Sequence, residues 1–101
     1  MHPKNIAALT AARINACSLA NNHILDWGIN GFCETLATLN KEGIAHAGAG
    51  QNICQAQEPA ILSIPKISGR ILIFSMGTCS SGIPKNWGRL QINQAFGYLT
   101  I

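Results

Sequence analysis

Acidic residues are scarce in this chain: Asp26, Glu34, Glu42 and Glu58 are the only four among 101. Charged residues make up 11%, far below the roughly 25% of an average globular domain. That poverty of charge, together with 48% apolar residues, excludes intrinsic disorder. The cations Lys4, Arg13, Lys41, Lys66, Arg70, Lys85 and Arg89 are scattered singly. They form no basic stripe, so no nucleic-acid partner is expected despite the net charge of +3. Long hydrophobic runs are missing too. The longest, "RILIFSM", has the length of a strand, whereas a membrane span needs about 20 residues. The opening "MHPKNIAALTAARINA" lacks the apolar core of a signal peptide, so no export route of its own is expected. Cys17, Cys33, Cys54 and Cys79 include no CxxC pair, which speaks against a cysteine-only metal site and for free, mostly buried thiols.

What is present is a pattern of alternating elements in a length that fits one domain. Pro3 followed by Ile6, Leu9 and Ala12 predicts a helix over 3–13. "INACSLA" (14–20) reads as a buried strand. Ile29, Phe32, Cys33, Leu36 and Leu39 then form a helical stripe, with Glu34, Thr38, Lys41 and Glu42 off it and Gly43 as the closing cap. "IAHAG" (44–48) is the next strand, completing a βαβ unit with parallel strands. "NICQAQEPA" predicts a helix of one or two turns stopped by Pro59. "AILSI" (60–64) and "RILIFS" (70–75) predict a hairpin. "GTCSSGIPKNWGRL" reads as loop, and "QINQAFGYLTI" as either a final strand or a loose end. So much apolar sequence is more than so short a chain can hide by itself, and fits a piece of a larger α/β protein whose strands are buried on both faces.

The polar chemistry is concentrated in "SLANNHILDWG" (18–28), at the carboxyl end of the first predicted strand. In open α/β sheets ligands bind at such ends. An asparagine carboxamide can face a hard metal or an anionic oxygen, and a histidine can ligate or move a proton near neutral pH. A neighbouring aspartate can hold the imidazole in one tautomer. A plainer reading is also open. Asn21 and Asn22 would take left-handed turn conformations, and Asp26 would cap the following helix.

The stretch "SLANNHILDWGINGFCETLATLNKEGIAHAGAGQNICQAQEPAILSI" closely resembles the CapA-type proteins of bacterial capsule and poly-γ-glutamate synthesis. The matching pieces are Ala20–Gly28, Thr35–Leu36, Gly43–Ile44, Gly48–Asn52, Ala56 and Pro59. "SSGIPKNW" (80–87) is similar to a later loop of many members. The resemblance covers residues 5 to 88 and is strongest over 18–64. It implies a partial metallophosphoesterase-like α/β sandwich, here one βαβ unit followed by a β-hairpin, with residues 1–101 forming part of such a domain.

The same resemblance implies site residues. Asn22 would ligate a divalent metal of the Mn, Zn or Fe type and contact the substrate, and His23 would be the catalytic acid or orient the attacking water. Asn21, Asp26 and Gly28 would support that loop, and Ser80, Ser81 and Gly82 would form a substrate loop. It implies a polyglutamate or a phosphorylated or γ-glutamyl substrate, and a family often found at the cell envelope.

The chain departs from the family in ligand number. No acidic residue precedes Asp26, Glu34 and Glu42 lie on the helix's polar side, and Glu58 precedes Pro59. His46 reads as core packing and His2 as solvated. The expectation is therefore an internal slice of a CapA-type domain, inactive and without tight metal binding alone, and prone to self-association through an open sheet edge. The alternative is a non-catalytic accessory or binding module that kept the scaffold without the metal site.

Overall fold

The computed structural model describes residues 1–77 and the backbone of 91–92. A 3₁₀ turn, Pro3–Asn5, leads into α1 (Ile6–Ala11). The helix predicted over 3–13 is thus real but shorter. Arg13, at φ 56°, ends it in the left-handed region, with Ile14 N–H donating to Leu9 O and Arg13 N–H to Thr10 O. That is the hydrogen-bond pattern of a helix stop usually built with glycine.

Strand β1 (Ala16–Ser18), helix α2 (Gly28–Lys41) and strand β2 (Ala45–Ala47) form the expected βαβ unit. The strands are adjacent and parallel, pairing Ala16 with Ala45, Cys17 with His46 and Ser18 with Ala47. Leu19 N–H adds one more rung to Ala47 O at 2.8 Å. Helix α2 buries Phe32, Thr35, Leu36, Thr38 and Leu39. Two members of the predicted stripe are instead exposed: Ile29, and Cys33, which lies about 100° around the helix from Phe32. Thr38, placed off the stripe by its polarity, is buried. Its hydroxyl is satisfied within the helix by Glu34 O at 2.7 Å, as that of Thr35 is by Gly31 O at 2.9 Å. A threonine that bonds its own helix can therefore occupy a core position.

Gly43 closes α2 as predicted. At φ 70° it takes the left-handed conformation, its N–H donates to Asn40 O, and Ile44 N–H reaches back to Leu39 O. Ile44 and Leu39 are both buried in the core with Leu19, Phe32, Leu36 and Ala49. This apolar contact across the helix end accompanies the cap.

The strand predicted over 44–48 breaks at Gly48 (φ 101°), and β3 (Ala49–Gly50) pairs antiparallel with β6 (Gln91–Ile92). Helix α3 (Ile53–Gln57) starts where the Asn52 side chain accepts from Gln55 N–H at 2.9 Å. It ends before extended Glu58 and Pro59. Strands β4 (Ala60–Ser63) and β5 (Arg70–Ile73) form the predicted antiparallel hairpin. The described strands thus make three two-stranded sheets in a mixed α/β fold. Ile61 and Leu72 are paired across the hairpin, and Phe74 continues their face; all three are about half exposed or more. This open apolar face is the kind of surface expected of a chain with more apolar sequence than it can hide by itself. No helix of the described residues is long and apolar enough to cross a membrane.

Candidate functional site

The turn between β1 and α2 begins one residue past Ala20. Asn21 N–H donates to Leu19 O, and the Asn21 carboxamide oxygen accepts from His23 N–H at 2.9 Å. This side-chain-to-backbone closure makes Asn21 a support of the turn. Neither Asn21 nor Asn22 takes the left-handed conformation of the plainer reading, because positive φ among described non-glycine residues is confined to Arg13 and Lys66. Further along, Asp26 N–H donates to His23 O and Gly28 N–H to Leu25 O. Ile24 and Leu25, partly buried, pack the turn onto the core.

His23 Nδ1 lies 2.8 Å from Asp26 Oδ2. The cap of α2 is Trp27, with no side-chain cap bond, so Asp26 does not cap the helix. It is turned toward the imidazole instead. A carboxylate only accepts, so a neutral His23 carries its proton on Nδ1 and leaves Nε2 with a lone pair. The pair is open to solvent, with His23 74% and Asp26 51% exposed. Asn22 is exposed between Asn21 and His23. Gly28 opens α2 at φ 73°.

Below the turn, three segments meet. Ser75, just past β5, is buried; its Oγ lies 2.6 Å from Ser18 Oγ and accepts from Ala20 N–H at 3.3 Å. Gly48 packs against both, and a Cβ there would stand 2.5 Å from Ser75 Oγ and 2.8 Å from Ala20 N. The sequence held no sign of Ser75, which lies 55 residues from Ala20. Gly48 was visible only as part of a motif.

The other histidines stand apart. His2 is exposed and accepts from Lys4 N–H through Nδ1. His46 is half-buried, with Nε2 3.0 Å from Asn40 Oδ1, so it is hydrogen-bonded rather than packed purely among apolar groups. Burial holds its pKa below the ordinary histidine value. It lines a groove of about 440 Å³ with Cys33, Gln51, Gln55 and Glu58. Burial likewise raises the Cys17 thiol pKa. Cys33 and Cys54 are exposed, against the expectation of buried thiols.

Among the described residues, no three His, Cys, Asp or Glu side chains come together as a metal site. Asn22 and His23 Nε2 are two donors, and a cation needs about four to six. The described residues alone do not fit a metal centre. Ser80, Ser81 and Gly82, the expected substrate loop, lie outside the described residues, as does Cys79.

Comparison with known proteins places this chain in a family. Over 87 residues the chain is 42% identical to proteins from two strains of Mycobacterium tuberculosis, each named a probable polyglutamine synthesis accessory protein. That match covers 86% of this chain and 23% of those relatives, so the chain spans about a quarter of their length. It is also 40% identical over 70 residues to an uncharacterized protein of Sinorhizobium fredii, covering 69% of this chain and 15% of that protein. The family described as bacterial capsule synthesis protein PGA_cap matches residues 1–97, and the chain belongs to that family.

Proposed function

We propose that this chain is the acid–base segment of a larger capsule- or polyglutamate-synthesis protein, acting on a phosphorylated or γ-glutamyl substrate. His23 is the proton-transfer group. Its Nε2 takes a proton from an attacking water and returns it to the leaving oxygen or nitrogen. Asp26 holds the ring and offsets the imidazolium charge that forms in between. The Asn22 carboxamide orients an anionic substrate oxygen. The carrying observation is the 2.8 Å contact of His23 with Asp26, which fixes one tautomer on an otherwise exposed ring at the carboxyl end of a parallel strand. A metallophosphoesterase-like scaffold is the setting this reading supposes. The Mn, Zn or Fe type ions implied by the family resemblance would need donors beyond those described. On this reading the 101-residue chain turns over no substrate alone.

The test is titration with Mn²⁺ and Zn²⁺, and turnover of phosphoester and γ-glutamyl substrates. Both are run on this chain and on a full-length family protein carrying the segment. The chain alone should bind these ions no better than an isolated histidine. In the full-length protein, His23→Ala should lower turnover more than metal affinity. Tight stoichiometric binding by the 101-residue chain would sink the proposal.

A second reading, a non-catalytic accessory module, is favoured by the two-donor count and by the word "accessory" in the relatives' names. Full-length protein that binds polyglutamate but turns nothing over would decide for it.

A further inference from the structure

We infer that Ser75 is a positioning residue for His23, acting through the end of β1. A turn that carries an acid–base group must be held to within about 0.5 Å, and strand ends fray unless something grips them. Here the grip comes from another element. Ser75 sits two residues past the end of β5, in a hairpin that is not hydrogen-bonded as a sheet to β1. Its buried hydroxyl nevertheless accepts from Ala20 N–H at 3.3 Å and lies 2.6 Å from Ser18 Oγ. Those two residues flank Leu19, the last rung of the parallel ladder.

Gly48 completes the junction from the third side. The space a Cβ would need there is already taken by Ser75 Oγ at 2.5 Å, Ala20 Cβ at 2.7 Å and Ala20 N at 2.8 Å. With no slack around it, Ala20 passes its position directly to Asn21, whose carboxamide oxygen holds His23 N–H. From Ser75 the chain of contact therefore runs through Ala20 and Asn21 to His23, and ends at Asp26. Ser75 touches no reacting atom. Its contribution is the place and tautomer of the imidazole, and the catalytic weight of that contribution rests on the proposed role of His23.

The experiment uses the whole 101-residue chain and two spectroscopic readouts. Long-range ¹H–¹⁵N spectra report which His23 nitrogen carries the proton, and amide hydrogen exchange reports the Ala20 N–H. The native chain should show the Nδ1-protonated form of His23. In Ser75→Ala, Ala20 exchange should quicken about fivefold, as expected for one lost hydrogen bond. The His23 signals should move toward the mixed tautomers of a free imidazole. Ala45, bonded to Asn15 O at the far end of the ladder, should exchange as before. Ser75→Cys keeps the shape with a poor acceptor and should behave like Ser75→Ala, whereas Ser75→Thr keeps the hydroxyl and should restore the native spectra.

An unchanged His23 tautomer in the Ala and Cys variants would overturn the inference. So would equal acceleration at Ala20 and Ala45, or unfolding of both variants, since Ser75 would then serve general stability alone. None of these readouts needs turnover or metal. A full-length protein without activity would sink the proposed function and leave this result standing.

Discussion

His23 and Asp26 sit three residues apart in one turn, and their side chains meet at 2.8 Å while both remain open to water. Exposed pairs of this kind add about 0–1 kcal/mol to stability. Asp26→Asn should therefore leave thermal unfolding almost unchanged. On the proposed acid–base role of His23, the same substitution in a full-length family protein should lower turnover by between about 10-fold and about 10⁴-fold. The upper figure is the cost when the carboxylate holding a general-base histidine becomes an amide. Melting and steady-state kinetics on one preparation check both halves. A large loss of stability would assign Asp26 a structural role.

His46 predicts a pH dependence of stability. Burial lowers its pKa in the folded chain, so the folded state binds this proton less readily than the unfolded state does. The penalty is absent above the ordinary histidine value of about 6.5 and grows as pH falls below it. Urea unfolding at about pH 7.5 and about pH 5 should show lower stability in acid. His46→Gln should reduce that difference. Equal slopes for both proteins would refute the assignment.

The thiols should separate by environment. Cys33 and Cys54 are exposed, whereas Cys17 is partly buried with its pKa raised by burial. The thiolate is the reacting form. Iodoacetamide should label Cys33 and Cys54 well before Cys17, as read by mass spectrometry of the digested chain.

Arg13 ends α1 at φ 56°, where a β-carbon is unfavourable. Arg13→Gly should remove most of that strain and raise stability by about 1 kcal/mol, measured by denaturant titration. A loss of stability would mean that the arginine side chain contributes more than its backbone conformation costs.

Ile61, Leu72 and Phe74 share one face of the hairpin and are 51%, 53% and 58% exposed. Apolar groups adjacent on one open face favour association. The isolated chain should self-associate with rising concentration in sedimentation experiments, and Phe74→Glu should shift it toward monomer. A monomeric native chain at high concentration would refute this.

The parts of the fold that sequence revealed are those set by local patterning. Helix α2 follows from its apolar period and Gly43, the parallel pair from strand–helix–strand order, and the hairpin from two apolar runs around "PKISG". Local rules failed where a residue had two uses open to it. Asp26 was equally suited to cap a helix or hold an imidazole, and only the folded turn decides between them. Thr38 looked polar until its hydroxyl found Glu34 O. The motif residues Asn21, Asn22 and His23 stood out by composition. Ser75 could not, because its contact with Ala20 spans 55 residues and depends on how the hairpin packs.

Among the described residues three glycines have positive φ, yet their surroundings differ. At Gly28 and Gly43 an added Cβ would meet nothing within 4 Å, so the only obstacle is backbone conformation. Asparagine adopts that conformation comparatively well. At Gly48 the backbone cost is joined by collision with Ser75 and Ala20. In a saturation library scored for folding, positions 28 and 43 should therefore give graded profiles with asparagine near the top. Position 48 should admit glycine alone.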